Sequence, residues 1–369
     1  MKWKRNINTE DLFSKNRLEV WSNNEGISHE LNIRFGKETD LFGLKQTFLD
    51  EFIIQVDKCK SLCEEFLSDN NNIVRVDNCM LCGNNSNNNK SEFSIHGLDY
   101  IACNNCKHRY LIKRLSNESL DKFYETDEVL SATLTDRKKT MERTNSINRP
   151  KVEWMVDEYK RVYGKMPKKI VDVGAGAGHF VYAAKELGLN CYGIEPNEPC
   201  VQFAKDIFNV SLVPEDFLSI PDICKDADII TFWAVLEHLP NFMKFMEAAY
   251  GILSNKGEGM LMIEVPRWHS LDTKIQSTFN TRVNRHLFPL SHIQIFSDNS
   301  IINALTLNGF VPKGAWFFGM DMYELACQLG YETKNEIFFK FAGKYFLKLQ
   351  PTIDGGLLSD TMVFSSGIT

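Results

Sequence analysis

Long apolar runs are missing from this chain. No stretch of its 369 residues approaches the roughly 18 consecutive apolar residues of a membrane span. The opening Met1-Lys2-Trp3-Lys4-Arg5-Asn6 has no apolar segment of the secretory kind, so the expectation is a cytoplasmic protein. Positive charge is also in short supply. A net charge of −6 and a pI near 5.8 argue against broad nucleic-acid binding, though a local basic face remains open. What remains is an ordinary globular composition, 43% apolar and 24% charged, on a chain long enough for two domains. In a reducing compartment the ten cysteines point to metal binding where they cluster, not to disulfides.

Residues 1–38 are polar and Asn-rich and show no pattern that assigns them. From Leu41 to Leu67, Leu41, Leu44, Phe48, Phe52, Val56, Cys59, Cys63 and Phe66 fall three or four apart, which predicts an amphipathic helix. Residues 1–70 are therefore read as an N-terminal helical extension. The helix 41–67 packs on the chain's own domains or forms a homodimer. Cys59 and Cys63, without further ligands nearby, read as buried apolar cysteines.

Two Cys-x2-Cys knuckles follow, Cys79 with Cys82 and Cys103 with Cys106. In reduced surroundings this spacing is a zinc signature, and four thiolates close a tetrahedral site, so the metal is expected to be structural. Phe93, Ile95, Leu98, Tyr100 and Ile101, then Tyr110, Leu111 and Ile112, suggest short strands around it. Residues 71–115 thus predict a zinc-ribbon module held together by its metal. The Asn-rich stretch 83–89 reads as a loop tip, and His108 as a surface residue. Residues 116–149 read as a polar connector. Between Leu134 and Lys169, 11 Lys/Arg stand against 5 Asp/Glu, either a solvated helix face or a strip facing an anionic substrate.

From residue 150 to 369 strands and helices alternate. Ile170, Val171 and Val173 suit a buried strand. Gly174, Gly176 and Gly178 follow at alternate positions, where a Cβ would keep the backbone from approaching a ligand. A helix over 178–187 comes next, then a strand over 191–194 ending in Glu195, where an acidic residue can hold ribose hydroxyls. The pattern continues with helix 197–208 behind an Asn197 cap, strands 211–213 and 228–233, helix 241–253, strand 259–265 and a helix to Leu307. This predicts a parallel α/β sheet covered on both faces. A helical insertion over about 319–357 separates a strand at 310–317 from a last strand near Met362.

The turn Asp172-x-Gly174-x-Gly176-x-Gly178, together with Ala234-Val235-Leu236-Glu237-His238-Leu239-Pro240, resembles the class I S-adenosylmethionine-dependent methyltransferases. The resemblance spans roughly 145–315 plus the final strand. It implies a Rossmann-like, seven-stranded α/β sheet. It also implies that Asp172, Gly174, Gly176 and Gly178 line the methionine and ribose part of S-adenosylmethionine. Glu195, with Pro196 beside it, would take both ribose hydroxyls. Asp216 would meet the adenine amine, Phe217 would lie beside its ring, and Trp233 would face the methyl donor. The zinc-ribbon layout, and the stretch Arg285-His286-Leu287-Phe288-Pro289-Leu290-Ser291-His292, resemble methyltransferases of sugar and surface-glycan biosynthesis. Sugar C-methyltransferases carry a large C-terminal domain, whereas this chain has about 60 residues after Phe310. O-methylation of a nucleotide sugar or glycan precursor therefore leads.

A sugar hydroxyl is a poor nucleophile and calls for a general base. His238 and His292 are the first candidates, His286 the next, with Glu237 orienting or polarising a histidine. His179, at the turn, is read as packing there or touching the cofactor carboxylate. An RNA methyltransferase is the competing enzyme class. It lacks support from an Asn-Pro-Pro-Tyr segment or a nucleophilic cysteine motif. A degenerate scaffold would have no need of the complete glycine and Glu195 set.

Overall fold

The computed structural model describes residues 1–6, 14–37, 49–87, 89–126, 134, 136–279 and 286–368. Leu41, Leu44 and Phe48 of the expected helix, Asn88 of the loop tip, Asp127, Glu128 and Thr133 of the connector, and Arg285 lie outside these residues.

Four strands form the parallel heart of the main sheet. Cys191–Ile194 pairs with Ile170–Val173, which pairs with Ile229–Trp233, which pairs with Met260–Pro266. Every residue of Ile170–Val173 and of Met260–Pro266 is buried, as strands covered by helices on both faces must be. The last two strands are antiparallel: Thr361–Ile368 inserts between Met260–Pro266 and Phe310–Phe318. Three helices, Asp321–Thr333, Glu336–Leu347 and Gln350–Gly355, occupy the chain between them.

The sheet differs from the expected seven strands at both edges. The segment expected as strand 211–213 makes only a bridge, Val213 to Ile194. At the other edge Ser28–Phe35 runs parallel to Phe310–Phe318, and Asn16–Asn23 and Trp3–Asn6 continue outward, giving nine strands. Much of the supposed helical extension 1–70 is therefore part of the main sheet. Its helix is described over Leu49–Ser68 and buries Val56, Leu62, Cys63 and Phe66. Cys63 and Phe66 pack with Leu115, Leu120, Phe123 and Leu290 of the same chain. Burial pushes the Cys63 thiol up to about 12 and Cys59 to about 11, in keeping with apolar roles. Among the described residues no helix is long and apolar enough to cross a membrane.

The Cys-rich segment builds a four-stranded sheet, Ser91–Ile95, Leu98–Ala102, Arg109–Leu111 and Gln294–Ile295. The first two join through His96-Gly97, both with positive φ, as a tight hairpin turn requires. The fourth strand comes from the far end of the chain. It fastens this small sheet to the loop after Ile229–Trp233.

Candidate active site

Strand and helix meet at the glycine turn. Gly174 and Ala175 donate to the Ile194 carbonyl at 2.9 and 3.0 Å, and Gly174, Gly176 and Gly178 have φ of 67°, 52° and 78°. A Cβ at Gly174 would stand 2.7 Å from Val235, and one at Gly178 would stand 2.8 Å from the Ala204 methyl. At Gly176 it would meet nothing within 4 Å. Glu195 clamps the turn: its two oxygens accept from the amides of Gly176 at 2.7 Å and Asn197 at 2.9 Å. Burial raises its pKa against those two bonds.

Two of the expected cofactor residues point inward. Asp172 is buried and accepts from the Thr231 hydroxyl at 2.6 Å, bracing two core strands, and burial pushes its carboxyl up to about 7. Phe217 packs in the core against Phe232 and Phe245. Asp216 is exposed and caps the short turn after it by accepting from the Leu218 amide at 2.6 Å. Pro196 is exposed, and Trp233 is half-buried with Lys151 over its ring at 5.3 Å. His179 opens the helix after the turn, with its Nδ1 3.1 Å from the Thr144 hydroxyl and its ring edge-on to Phe208.

Beyond Trp233 the chain reverses at Ala234, whose φ of 55° is rare for a residue with a Cβ. A short 3-10 turn, Leu236–His238, then carries Glu237 and His238 next to the Val235 contact with Gly174. Glu237 is fully buried and neither of its oxygens has a hydrogen-bond partner. Burial pushes it up to about 8, opposed by its own backbone amide and by Lys151 and helped by the Glu264 carboxylate. His238 Nε2 lies 4.0 Å from Glu237, and His238 Nδ1 lies 3.0 Å from both the Ser291 carbonyl and the Tyr124 hydroxyl. The His292 ring stands edge-on to His238 at 4.7 Å, and its Nδ1 is 2.9 Å from the His286 carbonyl. Burial holds His238 down to about 4, so it is neutral at pH 7. His286 turns away towards Asp360, 3.5 Å from it.

Residues 148–312 match a family model described as a methyltransferase domain. Over these residues the chain reads as a methyltransferase domain. No curated protein matches it. Among solved structures, a SAM-dependent methyltransferase from Archaeoglobus fulgidus is 19% identical, covering 63% of this chain and 100% of that one, with a TM-score of 0.38. The plantazolicin methyltransferase BpumL in complex with SAH is 15% identical over 68% of this chain and 94% of that one, TM-score 0.41. Magnesium protoporphyrin IX methyltransferase from Synechocystis PCC 6803 with bound SAH is 11% identical over 68% and 92%, TM-score 0.41.

Outside the methyltransferase domain, the four knuckle cysteines converge with all sulfurs within 4.8 Å of one another. Cys79 to Cys106 and Cys82 to Cys103 are both 3.6 Å apart. Sulfurs bound at about 2.3 Å to one tetrahedral zinc stand nearly that far apart. Backbone amides point at them: Leu81 and Cys82 at Cys79, Asn105 and Cys106 at Cys103, His108 at Cys106. Such donors stabilise thiolates. This donor set fits a structural cation.

The cysteine module holds the histidines of the methyltransferase domain. Tyr100 donates its hydroxyl to the His292 carbonyl at 2.6 Å, and Leu111 donates its amide to the Ile293 carbonyl at 2.9 Å. The Gln294 amide group donates to the carbonyls of Leu236 and Leu239 at 2.7 and 2.9 Å, while its oxygen lies 2.8 Å from His108 Nε2. His108, expected at the surface, is fully buried in this link. Sequence reasoning missed Tyr100, Tyr124 and Gln294, and no spacing announced them. Lys151 was counted only as charge. It is buried and paired with Glu264 at 2.8 Å beneath the Glu237 loop. The basic strip is largely tied into the fold: Arg161 bonds Glu158, Lys165 pairs with Glu258, and Lys169 donates to the Lys225 carbonyl. Arg137 donates to the Ile207 carbonyl.

Proposed function

We propose that the enzyme O-methylates a sugar hydroxyl of a nucleotide sugar or surface-glycan precursor. The observation that carries a hydroxyl-directed reading is the meeting of Glu237, His238 and His292 beside the glycine turn. A neutral imidazole such as His238 and a buried carboxyl are the groups needed where a weakly acidic O–H must be deprotonated. The sugar acceptor is supported by the zinc-ribbon layout and the 285–292 stretch. Sugar C-methylation and RNA methylation are the alternatives, and the internally paired basic strip disfavours RNA.

Bound S-adenosylmethionine supplies a sulfonium methyl group for in-line displacement. Gly174, Gly176 and Gly178 let the backbone approach it, and Gly176 faces the open space. Each Glu195 oxygen already accepts one amide and keeps a lone pair for a ribose hydroxyl. Asp216 and Pro196, both exposed, border the adenine end, and Trp233 the methyl end. Asp172 and Phe217 act as positioning residues through the strands they brace. His238 and His292 take the hydroxyl proton, with Glu237 behind them. Cys79, Cys82, Cys103 and Cys106 would hold Zn2+, which cross-links a module too small for a core of its own.

Two glycine variants separate cofactor contact from fold. Gly178→Ala drives a methyl into Ala204 at a positive φ and is expected to lose about 1–3 kcal/mol in urea unfolding. Gly176→Ala carries the backbone strain of a positive φ but meets no protein atom, so S-adenosylhomocysteine affinity by calorimetry should fall more than stability does. Unchanged affinity in Gly176→Ala would remove the cofactor from this turn. The acceptor is tested by offering labelled S-adenosylmethionine with sugar nucleotides, lipid-linked glycans and bulk RNA. Label is expected in a glycan fraction, and label in RNA alone overturns the reading.

A further inference from the structure

The Glu237 side chain poses a problem that the proton-transfer reading leaves unsolved. A buried carboxyl without hydrogen bonds costs several kcal/mol. Glu237 has no accessible surface and both of its oxygens lack partners. The chain nevertheless brings two imidazoles to it, and one ligand atom from each of Glu237, His238 and His292 lies within 4.8 Å of the other two.

The tautomers decide what these rings offer. A carbonyl oxygen only accepts, so the Nδ1 facing it must carry the hydrogen. His238 Nδ1 faces the Ser291 carbonyl at 3.0 Å, and His292 Nδ1 faces the His286 carbonyl at 2.9 Å. The Tyr124 hydroxyl, 3.0 Å from His238 Nδ1, shares that hydrogen as a second acceptor. With Nδ1 carrying the hydrogen, the lone pair of each unprotonated ring lies on Nε2. Metal-binding histidines are fixed in this way, with the other ring nitrogen donating to a carbonyl. The backbone supports the same convergence: the Ile293 amide donates to the Glu237 carbonyl at 3.1 Å, and Tyr100 holds the His292 carbonyl at 2.6 Å.

We propose that Glu237, His238 and His292 form a second metal site, for a divalent first-row transition cation, separate from the four cysteines. Two imidazoles and one carboxylate suit zinc, iron or manganese, and the set is too poor in oxygen for magnesium or calcium. The atoms stand slightly too far apart for direct ligation, so each side chain closes by a few tenths of an ångström on binding. The cation's charge then compensates the buried carboxylate. Three protein ligands leave a coordination position open, as catalytic metal sites do. On the reading of this cluster as the acceptor's end of the site, that position takes the acceptor hydroxyl. In the metal-loaded site the imidazoles then serve as ligands in place of accepting the proton: the hydroxyl proton passes to solvent, the oxygen–methyl bond forms as the sulfur–methyl bond breaks, and S-adenosylhomocysteine leaves.

The test is metal content, with neither acceptor nor cofactor present. Wild-type protein and the variants Glu237→Gln, His238→Ala and His292→Ala are stripped with a chelator, reloaded with zinc, dialysed and assayed by atomic emission. Wild type is expected to hold one equivalent more than each variant. Cobalt loading serves as the folding control, since the intense thiolate-to-cobalt absorption of the cysteine cluster should persist in every variant. Near-isosteric Glu237→Gln covers the case in which an alanine variant loses that absorption. Equal metal content in wild type and Glu237→Gln overturns the second site and leaves the methyltransferase reading standing. An extra equivalent in wild type, with label going only to RNA, upholds the metal site and overturns the acceptor.

Discussion

Cys103→Ser is expected to cost the protein its cysteine-bound metal and most of its turnover. The first loss follows from the donor set. Four sulfurs converge around one point, and a serine hydroxyl cannot replace a thiolate there. Structural zinc contributes on the order of 10 kcal/mol or more to small modules, so losing one ligand should lower the unfolding temperature of residues 71–115 by a wide margin. The second loss is a matter of connection. Arg109–Leu111 pairs with Gln294–Ile295, and Tyr100, Leu111 and His108 hold the backbone of His292, the Ile293 carbonyl and the side chain of Gln294. Gln294 in turn holds the carbonyls on either side of Glu237-His238. A displacement of about 1 Å at such groups can cost on the order of 100-fold in rate. Zinc content, thermal unfolding and kcat measured together check this, with Cys59→Ala as the control that keeps metal and rate. Full zinc content in Cys103→Ser would show that the cluster is not a metal site.

The parts of the fold that were legible are those whose buried faces are apolar. Ile170–Val173 and Met260–Pro266 read as apolar runs interrupted only by Asp172 and Glu264, and Asn197 caps its helix by accepting from the Cys200 amide at 3.2 Å, as its position suggested. The N-terminal strands hid because their pattern is inverted. In Asn16–Asn23 the buried positions are Arg17, Glu19 and Trp21, while Leu18 and Val20 are exposed. Burial alone would raise the Glu19 pKa, but Arg5 and Arg17 outweigh it and hold the carboxyl below its usual range. A charge network, with Trp21 Nε1 donating to Glu19 at 2.8 Å, does there what an apolar stripe does elsewhere. Hydrophobic periodicity cannot report such a face. The candidate site is announced in the sequence at the glycine turn and at Glu237-His238, where the backbone constrains residue type. Tyr124 and Gln294 reach the site through tertiary contacts alone. Val213 shows the converse: Ser211, Leu212 and Val213 were expected to pair, and only one bridge forms.

His238→Ala is expected to lower kcat by roughly 100- to 10,000-fold, the range for removing a group that handles a proton in the transition state. Affinity for S-adenosylmethionine should stay near wild type. The reason is position: the glycine turn and the Glu195 clamp hold themselves together through Gly174, Gly176, Ile194 and Asn197. None of these bonds involves His238, whose contacts run to Tyr124, Ser291 and the His292 ring. His292→Ala should behave likewise, because its ring meets the same point from the opposite segment of chain. The two effects should fall short of additivity, since either loss disables a cluster that works as a unit. Single-turnover rates and calorimetric cofactor affinity for both single variants and the double variant give the comparison. Wild-type kcat in both single variants would move the chemistry away from this cluster. Loss of cofactor affinity in step with kcat would make the histidines part of the cofactor's binding wall. A drop in kcat at constant cofactor affinity places them at the acceptor, where the proton leaves as the methyl group arrives.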